Sequence, residues 1–252
     1  MVYVISDVHG DFKRLWKLIQ EHKTKMTEKD ILIVLGDFGV WEETMENLKQ
    51  LCESVPIKIL FLDGNHESFK ILADLPTEEK WGGLVQNICG AYRLCRGEVF
   101  TLPCDGGSIR VGVLGGGTSR DLDRRVEGVD WFPEEEITDE DVERLIKNVK
   151  EKEGIDYLLT HSLSATPKLQ LCAEQTICSK KAEIVLTPTN SDRKVRNAIS
   201  ALEPYEFVCM SGHEHMERKM VVNEREYQLV YHNILPLNVR EKRPIELKSN
   251  FR

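Results

Sequence analysis

The sequence has no apolar run near the ~20 residues that a membrane-spanning helix requires, so no span is expected. It also lacks a basic, then apolar, opening: Met1 to Gly10 meets an aspartate at position 7 and does not read as a secretory signal. Positive charge is in deficit, with 34 Lys and Arg against 42 Asp and Glu, a formal net charge of −8 and a pI near 5.5. That balance gives no general attraction to nucleic acid or to anionic membranes. None of the seven cysteines forms a CxxC pair. Cys89 and Cys95, like Cys172 and Cys178, enclose five residues, a spacing foreign to zinc knuckles, so reduced thiols in a cytoplasmic protein are expected. Repeats, low-complexity tracts and linkers are missing, and one domain over residues 1–252 is the simplest organisation. A composition of 41% hydrophobic and 30% charged residues excludes wholesale disorder.

What is present is a succession of short apolar runs that stop at polar turns. Val2–Ile5, Ile31–Leu35 and Ile57–Leu62 read as buried strands, with helices at about 11–22 and 42–53 between them. Strand–loop–helix units in series argue for a parallel sheet. From Leu84 to Leu114, short runs punctuated by Gly, Cys and Pro read as an antiparallel meander, and the second half is expected to be antiparallel. Thr138 is a candidate N-cap for a helix reaching Lys150, and Asp156–Leu159 reads as a strand. A helix at about 192–202, a strand at Phe207–Met210 and closing strands near 218–222 and 226–231 complete the pattern. Residues 163–190 read as a lid, a substrate loop or an external insertion.

The chemistry-bearing residues follow the strands. Asp7-Val8-His9 comes after the first, Gly36-Asp37 after the second and Gly64-Asn65-His66-Glu67 after the third. Thr160-His161 and Gly212-His213-Glu214-His215 follow two later ones. Strand carboxyl ends share one edge in an open α/β sheet, where ligands bind. Five of the seven histidines lie in these loops; His22 reads as surface, and His232, after another strand, is a lesser candidate. Each motif alone is weak, since Gly-Asp is ordinary turn chemistry and Asp-x-His is more often a helix cap. Together, and in this order, they point to metal binding.

As a set these residues resemble the calcineurin-like metallophosphoesterase family, whose pattern runs Asp-x-His, Gly-Asp, Gly-Asn-His-Asp/Glu, a lone His and Gly-His-x-His. The match spans positions 7 to 215. The stretch from Gly115-Gly116-Gly117 to Trp131-Phe132-Pro133-Glu134-Glu135 resembles bacterial and phage members more loosely. The resemblance implies a four-layer α/β/β/α sandwich with two mixed sheets. It implies one metal on Asp7, His9, Asp37 and His215 and a second on Asp37, Asn65, His161 and His213, with Asp37 bridging. Two divalent ions are thus expected, and mixed imidazole and oxygen ligands suit manganese, iron, zinc or nickel. The implied reaction is phosphate mono- or diester hydrolysis by a metal-bridging hydroxide. His66 would act as acid or phosphate-binding residue, oriented by Glu67 or Asp7.

Two departures separate the chain from the protein Ser/Thr phosphatase branch. Gly36-Asp37 continues as Phe38-Gly39-Val40 rather than Val-Asp-Arg-Gly, and Asp63 stands where that branch has arginine. Arg120, Arg124 and Arg125 are the candidate replacements for the missing phosphate-binding cations. A phosphorylated small molecule, nucleotide or phosphoprotein is the expected substrate. A nuclease and a non-catalytic metal-binding interaction module are the alternatives, the acidic balance opposing the first.

Overall fold

The computed structural model describes residues 1–176 and 187–239. Strands β1 (Val2–Ile5), β2 (Ile31–Leu35) and β3 (Lys58–Leu62) are linked by helices α1 (Phe12–Glu21) and α2 (Met45–Ser54) and pair in parallel, as expected. Their sequences are apolar throughout because both faces are covered. Val2, Val4, Ile31, Ile33, Leu60 and Leu62 join one buried cluster, while Tyr3, Ile5, Leu32, Val34, Ile59 and Phe61 join another. Helix α1 begins where the Asp11 side chain accepts the Arg14 N–H at 3.0 Å, and it sends Phe12, Leu15 and Ile19 into the second cluster.

The chain continues through α3 (Phe69–Ala73), β4 (Thr77–Lys80), β5 (Gly83–Ile88), β6 (Ala91–Leu94), β7 (Val99–Cys104) and β8 (Gly107–Leu114). Then come α4 (Asp139–Glu151), β9 (Tyr157–Thr160), α5 (Ala165–Thr176), α6 (Asn190–Ala201), β10 (Val208–Ser211), β11 (Arg218–Val222), β12 (Arg225–Leu229) and β13 (Leu235–Leu237). One sheet has the order β13-β1-β2-β3-β6-β5-β4 and the other β11-β12-β10-β9-β8-β7. Between the sheets lie Val2, Val4, Ile33 and Leu60 from the first and Phe100, Val111, Val113, Leu159 and Met210 from the second. The outer face of the second sheet is covered by Val142, Leu145 and Val149 of α4 and by Val195, Ala198 and Ile199 of α6. Three buried clusters therefore separate four layers, α/β/β/α.

The meander expected over Leu84 to Leu114 is divided instead. Strands β5 and β6 form a hairpin that joins the first sheet beside β3, whereas β7 and β8 form one in the second. The chain changes sheets at Cys95–Glu98, where the buried Arg96 is anchored. The antiparallel second half is likewise corrected: β8, β9, β10 and β12 run parallel, with antiparallel pairing confined to the edges. Helices α4 and α6 cause this for β9 and β10, since each returns the chain across the sheet before the next strand, while β12 is returned by the antiparallel β11. Thr138 caps α4 as expected, in a capping box with Asp141. Of the stretch 163–190, residues 165–176 form α5, whose Leu171 is buried in the outer core; residues 177–186 lie outside the described residues. No helix among the described residues is long and apolar enough to cross a membrane.

Candidate metal centre

Strands β1, β2 and β3 are parallel neighbours in one sheet, as are β9 and β10 in the other, so five carboxyl ends open on one rim. All seven ligand candidates meet there. Asp7, His9, Asp37 and His215 offer ligand atoms within 4.8 Å of one another; so do Asp37, His161 and His213, and Asp37 belongs to both groups. Asn65 joins the second group, its Oδ1 lying 3.2 Å from His161 Nε2.

The donor set fits a cation. His161 Nδ1 lies 2.8 Å from the Leu35 carbonyl, which can only accept, so a neutral His161 keeps its proton there and turns the Nε2 lone pair inward. Asp37 Oδ1, Asn65 Oδ1 and His213 Nδ1 each stand 3.2 Å from that nitrogen. The Asn65 amide is held in this orientation by its own N–H, donated to Ser119 Oγ at 3.1 Å. In the other group, His9 Nε2 and His215 Nε2 face each other at 3.4 Å, with Asp7 Oδ1 3.3 Å from the latter and Asp37 Oδ2 3.7 Å from the former. Lone pairs so gathered, with few protons among them, are what a divalent ion completes.

Charge distribution agrees. Burial would raise the Asp37 carboxyl, but His161, His66 and His9 hold it far below the usual carboxylate range. Burial would lower His161, yet Asp37 pushes it up to about 9. Burial and the neighbouring His161 push His213 well below its ordinary value.

The loops hold five of the ligand candidates in left-handed backbone. Asp7, His9, Asp37, His213 and His215 have φ of 56°, 51°, 48°, 66° and 49°, a left-handed region uncommon for non-glycine residues, which here also holds the turn residues Trp81, Cys89, Glu153, Asn223 and Glu224. Side chains from other loops secure them. The Glu67 carboxylate accepts the N–H groups of Phe38, Gly39 and Val40 at 2.7, 3.1 and 2.7 Å, clamping the turn after Asp37. Burial pushes Glu67 up to about 8 against these three donors. The N–H of His66 reaches Asp37 Oδ1 at 2.9 Å, and that of His213 reaches Asp7 Oδ2 at 3.2 Å. The glycines make room: a Cβ on Gly64 would lie 2.1 Å from Asp37 Oδ1, and one on Gly36 2.3 Å from His161 Nδ1.

The expected orienting of His66 by Glu67 or Asp7 is not what the structure has: Glu67 accepts backbone N–H groups after Asp37, and Asp7 faces His215 Nε2 and the His213 N–H. Arg125 stands against His66 instead, its Nη2 3.2 Å from Nδ1 and 3.1 Å from Nε2. Asp121 Oδ1, 2.8 Å from Arg125 Nε, and the Asp130 carbonyl, 3.1 Å from Nη1, fix the guanidinium. Burial lowers the His66 pKa, with Arg125 adding to it and Asp37 opposing. The other two arginine candidates are not at His66: Arg120 donates to the Thr187 carbonyl at 2.8 Å, and Arg124 is exposed beside Asp123. Asp63, at the position of departure from the phosphatase branch, is buried between Arg93 and Arg96, with N–O distances of 2.7 and 2.6 Å. These arginines outweigh burial and draw Asp63 down to about 2. Arg96 also donates to the carbonyls of Glu134, Glu135 and Glu136, tying that segment to the end of β3.

Residues that sequence patterning did not reach complete the surroundings. Ser119, which orients Asn65, is itself held by Glu135 through its N–H at 2.6 Å and its hydroxyl at 2.8 Å. Both fall in the 115–135 stretch, and the loose resemblance was its sole signal. Lys168 of α5 is fully buried between Asp192 of α6 and Glu214, which separates the ligand candidates His213 and His215. A lysine inside an unremarkable helix gave no sign of this. His232, the lesser candidate, stacks on Tyr231, which stacks on His215.

Among curated proteins no sequence match is found. Solved structures of similar shape include a phosphopantetheinyl hydrolase from Mycobacterium tuberculosis, 17% identical over 92% of this chain and 89% of that one, with a TM-score of 0.48. A putative 5′-nucleotidase from Staphylococcus aureus, solved with alpha-ketoglutarate, is 12% identical over 98% of this chain and 56% of its own, with a TM-score of 0.49. A third structure, 13% identical over 90% and 88%, reaches 0.51 and shows likeness of fold alone. The calcineurin-like phosphoesterase family model matches residues 1–217, and with the motif residues gathered at one rim the chain belongs to that family of metal-dependent phosphoesterases.

Proposed function

We propose that the chain hydrolyses phosphate esters at two divalent ions, one held by Asp7, His9, Asp37 and His215, the other by Asp37, Asn65, His161 and His213. The observation carrying this reading is the pair of ligand groups that overlap at Asp37, whose Oδ1 faces His161 and whose Oδ2 faces His9. Bound there, such ions supply Lewis acidity that activates water and offsets charge on the phosphoryl oxygens. Manganese, iron, zinc and nickel all accept this mixed donor set.

His66 has a separate task. Its ring lies 5.1 Å from that of His9, beside the first ligand group rather than within it. From there it either delivers a proton to the leaving group or hydrogen-bonds a phosphoryl oxygen. Arg125, fixed against His66, supplies the positive charge that the phosphatase-branch arginines supply elsewhere. The acidic balance favours phosphorylated small molecules over nucleic acid. Free thiols at Cys52, Cys89, Cys95, Cys104 and Cys209 suit the cytoplasm, and a single domain over 1–252 suits the continuity of the motifs.

The test is hydrolysis of p-nitrophenyl phosphate and its bis ester by chelator-stripped protein, with and without Mn²⁺, beside His66→Ala. Metal-dependent turnover that falls about 100-fold or more in the variant, with metal content retained, is the expected result. Stoichiometric metal with no turnover of either ester would replace the hydrolase by the interaction module.

A further inference from the structure

Five aromatic rings run in a row across the rim. His66 and His9 lie 5.1 Å apart, His9 and His215 5.4 Å, His215 and Tyr231 5.0 Å, and Tyr231 and His232 3.4 Å between centroids. The last two pairs are nearly parallel, at 17° and 24°, so His232 ends the row as the last ring of a stack. An arginine closes each end. Arg125 stands against His66, and Arg14 of α1 places Nη1 3.0 Å from His232 Nε2. The His232 ring lies on Tyr231, and its Nε2 stands where it can accept from Arg14. That imidazole is the one partner of the Arg14 guanidinium among the described residues. An exposed arginine whose partner is an imidazole rather than a carboxylate keeps most of its donors for a ligand.

We infer that Arg14 and His232 form a second oxyanion subsite, so that the preferred substrate carries, besides the scissile phosphate, another phosphate or carboxylate on the same small molecule. This rests on the phosphoesterase reading of the metal centre. The stacked Tyr231 ring between His215 and His232 separates the two anionic positions. The second group therefore sits across a sugar or a short carbon skeleton from the scissile phosphate, not next to it as in a pyrophosphate. Arg14 binds it as a forked donor, while His232 fixes the direction of the fork.

Matched substrate pairs test this with metal-loaded protein. Phosphate release is compared for adenosine 5′-monophosphate against adenosine 3′,5′-bisphosphate, and for phosphoethanolamine against phosphoserine, which adds a carboxylate. The doubly anionic member of at least one pair should be preferred in kcat/KM by about tenfold, the size of one charge-assisted hydrogen bond, and the preferred pair names the anion. Arg14→Ala should remove that preference through KM. His232→Phe, which keeps a ring on Tyr231 but no acceptor, should reduce it. Lys13→Ala, which deletes the same charge one residue away, should leave it. No preference in the wild type, or equal loss in Lys13→Ala, overturns the subsite. Calorimetric binding of the bisphosphate to wild type and Arg14→Ala decides the matter even without turnover. Weaker binding in the variant then upholds the subsite while the hydrolase reading fails, and unchanged binding rejects the subsite.

Discussion

Lys168→Met removes a buried charge and leaves the side-chain volume nearly unchanged. The Lys168 ammonium lies 3.0 Å from Asp192 Oδ2 and 2.6 Å from Glu214 Oε1, with Lys168 and Asp192 fully buried. At an effective dielectric constant of 20, each contact carries roughly 6 kcal/mol of gross attraction, most of it offset by desolvation of the ions. Deleting the shared cation leaves two carboxylates facing each other out of water, for which about 3–5 kcal/mol of stability is the expected loss. That is a large share of the roughly 5–15 kcal/mol available to a folded domain. Urea denaturation of the metal-free protein measures it. High salt should leave the wild-type contribution intact, because buried pairs are little screened. Glu214 lies between His213 and His215, so the variant should also bind Mn²⁺ at least about tenfold more weakly, as when a group that orients a ligand is lost. Lys168→Arg, which retains the charge, should recover part of both. A stability loss below about 1 kcal/mol, or intact metal affinity in a folded Lys168→Met, would refute the reasoning, since an exposed pair is worth no more.

Two further outcomes follow from the geometry. Ser119→Ala removes the acceptor that holds the Asn65 amide at 3.1 Å and frees it to turn its NH₂ toward the cation position. Metal affinity measured against a chromophoric chelator should fall about 10–100-fold, and an unchanged value would detach Ser119 from the site. Burial pushes the Cys209 thiol up to about 12, so very little of it is thiolate at pH 8. Iodoacetamide should spare Cys209 in the native protein and label it in urea, as read by peptide mass mapping; native labelling at the rate of a free thiol would contradict the burial.

The first three strands were legible because burial on both faces demands unbroken apolar runs, and each run stops at the residue that turns toward the rim. The metal-ligand candidates were legible for a related reason. Histidine and aspartate after five separate strands have no structural purpose in common, and their order resembles one family. The direction of β8 to β10 was not legible. Hydrophobic period reports that a strand is buried but says nothing of which neighbour it pairs with, and the crossovers through α4 and α6 decided that. Local pattern likewise gave Glu67 to His66, whereas in the fold its carboxylate is surrounded by three N–H groups from the turn after Asp37.

The chain alone therefore specifies the chemistry, because ligand type and the polar stop after each strand are local properties written in consecutive residues. The tertiary structure decides the supporting contacts. Arg125 lies 59 residues from His66, Ser119 54 from Asn65, and Arg14 218 from His232. No periodicity links such pairs, since what joins them is two packed sheets bringing distant loops to one rim.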